Sequence, residues 1–213
     1  MIEKCSKNND ISLLHITAIS AFVLFVSIVL IVLNILQTPF DFWNSAHLAW
    51  ASSITYGYKL YYGPGEGPVL CTMYGPFLAL AYLPAIIAKL PTIKIIIASF
   101  ISTCFYFLPI FWLLWLLVDR GKSICRKATF IVFAFTLFCL FTLTHFGLSQ
   151  SAFRLDADGP ALGITALSCV FLCLYFRTKR NTTLFLSAMF SIVAFWTKMT
   201  MAPVIIALPV YIL

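Results

Sequence analysis

Long stretches without a charged residue constrain this chain more than any other feature. Residues 11–36, 95–118 and 128–147 form three such runs. Shorter ones follow at 161–176 and 182–197, and another begins near Met201 and reaches Leu213. About 20 predominantly apolar residues suffice to cross a bilayer as a helix. Within lipid the backbone must satisfy its own hydrogen bonds, and runs of this length do so as helices. Hydrophobic residues make up 62% of the chain and charged residues 10%, against roughly 25% charged in a soluble domain. The expected fold is an all-α polytopic membrane helix bundle of about six spans, with residues 1–213 forming one transmembrane domain.

The segment 74–88, "YGPFLALAYLPAIIA", is short for a span and holds Pro76 and Pro84, so it reads as an interfacial or re-entrant helix. Basic residues separate the two topologies. With the N-terminus cytoplasmic and 74–88 not crossing, nine Lys and Arg lie inside and five outside. Letting 74–88 cross gives six inside and eight outside, with "DRGKSICRK" and "RTKR" on the wrong face. The tendency of Lys and Arg to stay in cytoplasmic loops favours the first arrangement. It also accounts for the basic excess without nucleic acid, since no basic stripe interleaved with aromatics is present. The apolar run after the polar start is too long for a cleaved leader and reads as a signal anchor. The seven cysteines show neither metal-ligand spacing nor a disulfide framework.

In this topology a long outer loop, about 37–94, and a short one, about 148–160, share one face. They carry Asp41, Glu66, Asp156 and Asp158, four of the seven acidic residues. The first outer loop contains "SAHLAWASSITYGYKLYYG" at 45–63, rich in Trp and Tyr, which reads as an amphipathic juxtamembrane helix. "GPGEGP" at 63–68 then breaks the chain. Two readings of "FRLDADGPAL" at 153–162 stand side by side. Asp156 and Asp158 form a polar turn and helix cap before the next span, or they belong to a site. Asp41 reads as a solvated residue at the end of the first span or as part of a site. His47 reads as an interfacial residue or a ligand-binding one. His15 and His145, in or near spans, are polar groups of the kind that mark function.

The order of these pieces resembles the N-terminal half of the GT-C superfamily of membrane glycosyltransferases, in the manner of its family 39. Asp41 in "PFDFWNSAHLAWA", "YGYKLYYGPGEGP" at 56–68, "YGPFLAL" at 74–80 and "FRLDADGPAL" carry the likeness, which spans roughly residues 10 to 200. It implies transfer of a sugar from a polyprenyl-phosphate donor to an acceptor on the outer face of a bacterial-type inner membrane. Asp41 would act as the base that deprotonates the acceptor hydroxyl, with Glu66 as the rival acid. Asp156 and Asp158 would position the acceptor, orient basic groups or hold a divalent metal; whether a metal is needed stays open. Arg154 and Lys59, then Lys198, are the candidates for the donor phosphate, and His47 for substrate contact. Family members usually continue with more spans, so the chain reads as truncated relative to them. The competing readings are a transporter or flippase component and a non-catalytic membrane subunit.

Overall fold

The computed structural model describes residues 2–63, 65, 66, 74–118 and 124–203. The apolar run past Met201 therefore lies largely outside the described residues, as do Arg120 and Lys122. All the regular structure described is helical. In chain order the helices are α1 (Ile2–Gln37), α2 (Phe42–Thr55), α3 (Pro76–Ile86), α4 (Pro91–Leu117), α5 (Ile124–Thr144), α6 (Phe146–Phe153), α7 (Asp158–Thr178) and α8 (Asn181–Thr197). Four segments are long and apolar enough to cross a membrane: Leu14–Phe40, Pro91–Leu117, Arg126–Thr144 and Asp158–Thr178. α3 and α8 are apolar but shorter. Large side chains such as Phe22, Phe25, Leu108 and Phe141 point outward, as expected where lipid rather than water is the solvent. The chain is a helical membrane protein.

Local chemistry sets the element boundaries. Pro91 stands in the first turn of α4, where a missing N–H costs nothing, and Leu90 before it is extended. α2 ends at Thr55, earlier than the 45–63 stretch predicts, because Gly57 takes a left-handed conformation (φ 75°). Lys59 is thereby outside the helix. The apolar run 128–147 does not continue as one helix either. His145 leaves the helical conformation and accepts a hydrogen bond through Nδ1 from Leu148 N, 3.4 Å, starting the short α6. α7 starts at Asp158, three residues before the apolar run, so that acid lies in its first turn. Lys179, at φ 54°, closes α7 in the left-handed region and reverses the chain into α8.

Side-chain contacts give the helix directions. Thr17 meets Thr129 at 2.7 Å and Thr136 reaches the Ser20 carbonyl at 3.2 Å, so α1 and α5 run parallel. α4 and α7 are also parallel: Gly159 lies against Ser102, Gly163 against Phe105 and Trp112 against Phe171. A Cβ on Gly163 would overlap the Phe105 carbonyl oxygen, so glycine is what lets the two backbones touch. α7 and α8 form an antiparallel pair joined by buried hydroxyls, with Ser168 Oγ 2.7 Å from Ser191 Oγ and 2.8 Å from the Ser187 carbonyl. The C-terminal end of α1, the N-terminal ends of α4 and α7 and the C-terminal end of α8 therefore share one end of the bundle. The chain from α1 to α4 leaves and returns at that end, which agrees with the arrangement in which 74–88 does not cross.

Two apolar clusters hold that end together. One joins α2 and α3 to α4 and to the segment before α7, through Leu48, Leu78, Tyr82, Ile95 and Leu155. The other joins α1, α4, α5 and α6 through Ile35, Tyr106, Phe107, Cys139 and Phe153.

Candidate functional site

Between α6 and α7 the backbone of residues 154–157 is not helical, and the carbonyls there and in the last turn of α6 need donors. α4 supplies most of them. Ser99 Oγ donates to the Phe153 carbonyl at 2.5 Å, Ser102 Oγ to Arg154 at 3.3 Å and Thr103 Oγ1 to Ala152 at 3.2 Å. From α3, the Tyr82 hydroxyl donates to the Asp156 carbonyl at 3.2 Å. Asn44, fully buried on α2, completes the set. Its Nδ2 donates to the Thr38 carbonyl at 2.8 Å and its Oδ1 accepts from Leu155 N at 2.9 Å. One amide thus ties the backbone just before Asp41 to the backbone just after Arg154.

That tie explains the ion pair beside it. Asp41 Oδ2 lies 2.7 Å from Arg154 Nε, while Oδ1 accepts from Trp43 N at 3.1 Å. Asp41 is therefore the cap of α2 and, through Arg154, a partner of the connection between α6 and α7. The Asp41 side chain is 19% exposed and that of Arg154 39%. Gln37, Phe40, Asp41, Trp43 and Arg154 line an open cleft of about 770 Å³. A smaller cavity of about 250 Å³ on the same pair is lined also by Asn34, Ser149 and Gln150.

Asp158 forms the second pair at this end, with Lys198 at the end of α8. Burial alone would lower the Lys198 pKa, but the hydrogen bond and charge of Asp158 outweigh it, with Asp156 and Tyr74 adding, so the ammonium is held above its ordinary value. Asp156 accepts from Ala157 N at 2.7 Å and meets the Tyr74 hydroxyl. Burial, reinforced by Asp156 and opposed by Lys198, raises the Tyr74 pKa. Tyr74 also receives the Lys198 ammonium 6.0 Å from its ring centre. The next residue, Gly75, permits this approach: a Cβ there would overlap the Trp196 carbonyl oxygen.

The remaining predicted residues lie elsewhere. Lys59 and Glu66 pair with each other at 3.4 Å, both largely exposed, and make no ion pair with the Asp41 or Asp158 centres. His47 sits one turn further along α2, among the rings of Trp43, Trp50 and Tyr74 at 5.7 to 6.5 Å, with Nδ1 buried and lacking a hydrogen-bond partner among the described residues. Each cation assigned to the donor phosphate by the resemblance is thus neutralised by a carboxylate: Arg154 by Asp41, Lys59 by Glu66 and Lys198 by Asp158. The same pairing bears on a divalent metal. No group of three His, Cys, Asp or Glu converges among the described residues, and two of the three aspartates are committed to cations, so this donor set does not fit one.

Asn44, Ser99, Ser102, Thr103 and Tyr74 escape a sequence reading. The hydroxyls of α4 sit inside an apolar run, and only their spacing along one helix face, "ASFIST", hints at a shared target. No protein-family model, curated protein or solved structure matches this chain.

Proposed function

We propose that this protein is a glycosyltransferase of the GT-C type, moving a sugar from a polyprenyl-phosphate carrier to an acceptor at the membrane surface. The observation that supports it best is the Asp41–Arg154 pair, drawn from two separate connections to the rim of an open cleft. A carboxylate offers about four lone-pair sites. Trp43 N and Arg154 occupy two of them, so Asp41 retains room for an acceptor hydroxyl. In the step proposed, the hydroxyl proton passes to Asp41, the oxygen bonds to the anomeric carbon, and the bond from that carbon to the phosphate oxygen breaks. General-base help of this kind contributes about 10²- to 10⁴-fold. Asp156 and Asp158 orient Tyr74 and Lys198 beside the acceptor.

In this reading α2 lies along the headgroup layer, α8 and the run beyond Met201 complete about six spans, and the N-terminus faces the cytoplasm of a bacterial-type cell. The described charged side chains all lie at helix ends or in loops, which argues against a transport path with charges at mid-span.

The test is sugar transfer from a polyprenyl-phosphate sugar by membranes that contain the protein. Loss on Asp41→Asn is expected, and equal transfer by both forms would remove Asp41 as the base. Sidedness is checked with a single cysteine at Phe146, which is 77% exposed; Ala157, between the two acids, is buried and would not label. Labelling of intact cells by an impermeant thiol reagent is expected. Labelling only after permeabilisation would overturn the outer-face reading.

A further inference from the structure

The end of the bundle that carries Asp41 holds five cations: Lys59, Lys89, Lys94, Arg154 and Lys198. Three are cancelled by carboxylates, which leaves Lys89 and Lys94. Lys89 is exposed between α3 and α4. Lys94 is different. It stands in the first turn of α4, only partly exposed, with no carboxylate or hydrogen-bond acceptor at its ammonium among the described residues. It lines a cleft of about 450 Å³ with Ser45, Ser52, Ser53, Tyr56 and Tyr58, closed beneath by Leu48, Pro91 and Ile95. The N-terminal end of the 27-residue α4 opens onto the same place and adds its positive dipole.

A half-sheltered ammonium without a counter-charge, sharing a cleft with the Ser52, Tyr56 and Tyr58 hydroxyls, is arranged for an anion. The hydroxyls and the place at the N-terminal end of a helix long enough to span suit one delivered from the membrane surface. We propose that this cleft is a phosphate-ester site, with Lys94 supplying the charge and Tyr58, Tyr56 and Ser52 supplying hydrogen bonds to the phosphoryl oxygens. Building on the glycosyltransferase reading, this is where the carrier phosphate of the donor sits. Asp41 and Ser45 are one helical turn apart on α2, about 6 Å along its axis, so the acid and the phosphate site flank one helix.

The same chemistry would accept the phosphate of a carrier lipid or of a bulk anionic phospholipid, and the experiment separates them. The full chain, reconstituted in phosphatidylcholine nanodiscs, is titrated with a fluorescent polyprenyl phosphate. Lys94→Gln is expected to weaken binding about tenfold or more, Lys94→Arg to retain most of it, and Lys89→Gln to leave it unchanged. Failure of phosphatidylglycerol to compete assigns the site to the carrier lipid; equal competition assigns it to headgroup phosphate. Equal affinity of Lys94→Gln and wild type, or no binding by wild type, would overturn the site. Binding that depends on Lys94 in a protein with no transferase activity would instead retire the glycosyltransferase reading and leave the site standing. Transfer unaffected by Lys94→Gln, yet lost with Asp41→Asn, would do the reverse.

Discussion

At the end of the bundle that carries Asp41, charges are matched and irregular backbone is fastened at several points. Asp41, Glu66 and Asp158 each hold a cation, and residues 152–156 are tied to α2, α3 and α4. At the opposite end the arrangement is reversed. Lys127, Arg177, Lys179 and Arg180 have no described carboxylate within ion-pair distance, and two of them rest on aromatic rings: Lys127 on Trp115 at 4.5 Å and Lys179 on Phe176 at 5.4 Å. Orientation in a membrane needs only solvated positive charge, which any basic residue in the loop supplies. A site needs fixed positions, and those require partners. The first end is therefore sensitive to single atoms, while the second depends on charge alone.

The largest test of that contrast is a methyl group. Gly159→Ala would drive a Cβ into the Ser151 carbonyl and to 2.7 Å from Ser102 Oγ. We expect a loss of about 3 kcal/mol, seen as little monodisperse protein in detergent. Gly147→Ala, in the same connection but 3.5 Å from its nearest neighbour, His145, should stay within about 0.5 kcal/mol. Similar melting temperatures for the two would end the claim of tight fastening.

Next is Asn44→Leu, which leaves the Leu155 N–H without its acceptor and takes one of two donors from the Thr38 carbonyl, Asp41 N being the other. About 2 to 4 kcal/mol should be lost, against less than about 0.5 for Arg180→Gln at the other end. Thermal unfolding in nanodiscs compares them, and an equal loss would contradict the division of roles.

A smaller effect is expected from pH. The Lys198 pKa is raised in the folded protein above its ordinary value of 10.5. Its contribution is therefore fully present below that value and is lost as pH rises through the higher folded value. Stability should fall in this alkaline window, and Asp158→Asn should flatten the fall by removing the carboxylate that holds the proton. An unchanged alkaline profile in Asp158→Asn would show that the pair does not control Lys198.

The smallest change is expected at the basic turn. Lys179 occupies a left-handed conformation that glycine adopts without cost. Lys179→Gly should be neutral or stabilising by up to about 1 kcal/mol in chemical denaturation. A clear loss would mean that the stacking of Lys179 on Phe176 and Tyr175 outweighs backbone strain.

Composition alone makes the spans legible, because no other solvent tolerates runs such as 95–118. The partition of charges between the ends is legible as well, and the helix directions agree with it. The resemblance brings Asp41, Arg154, Asp158 and Lys198 under suspicion, yet which acid takes which cation is hidden. Those pairings join residues far apart in sequence, and tertiary contacts decide them: the Asn44 tie sets Asp41 against Arg154, and the antiparallel packing of α7 on α8 sets Asp158 against Lys198. Asn44 is invisible for another reason: an amide in an amphipathic segment looks like a solvated residue until both of its hydrogen bonds are seen. Gly57 is a readable stop signal that ends α2 before Lys59. The break at His145 has no such marker.

Thr103 carries a consequence for how the chain is made. Its Oγ1 donates to the Ser99 carbonyl of its own helix at 2.8 Å and also reaches the Ala152 carbonyl at 3.2 Å. During synthesis α4 leaves the ribosome 49 to 54 residues ahead of the carbonyls that its hydroxyls serve, roughly 3 to 10 seconds at ordinary rates of elongation. Throughout that wait a hydroxyl in lipid needs an acceptor, and for Thr103 the preceding turn of its own helix provides one. Thr103 can thus be inserted with its hydroxyl folded back on its own helix, then share it with the later segment without first breaking a bond.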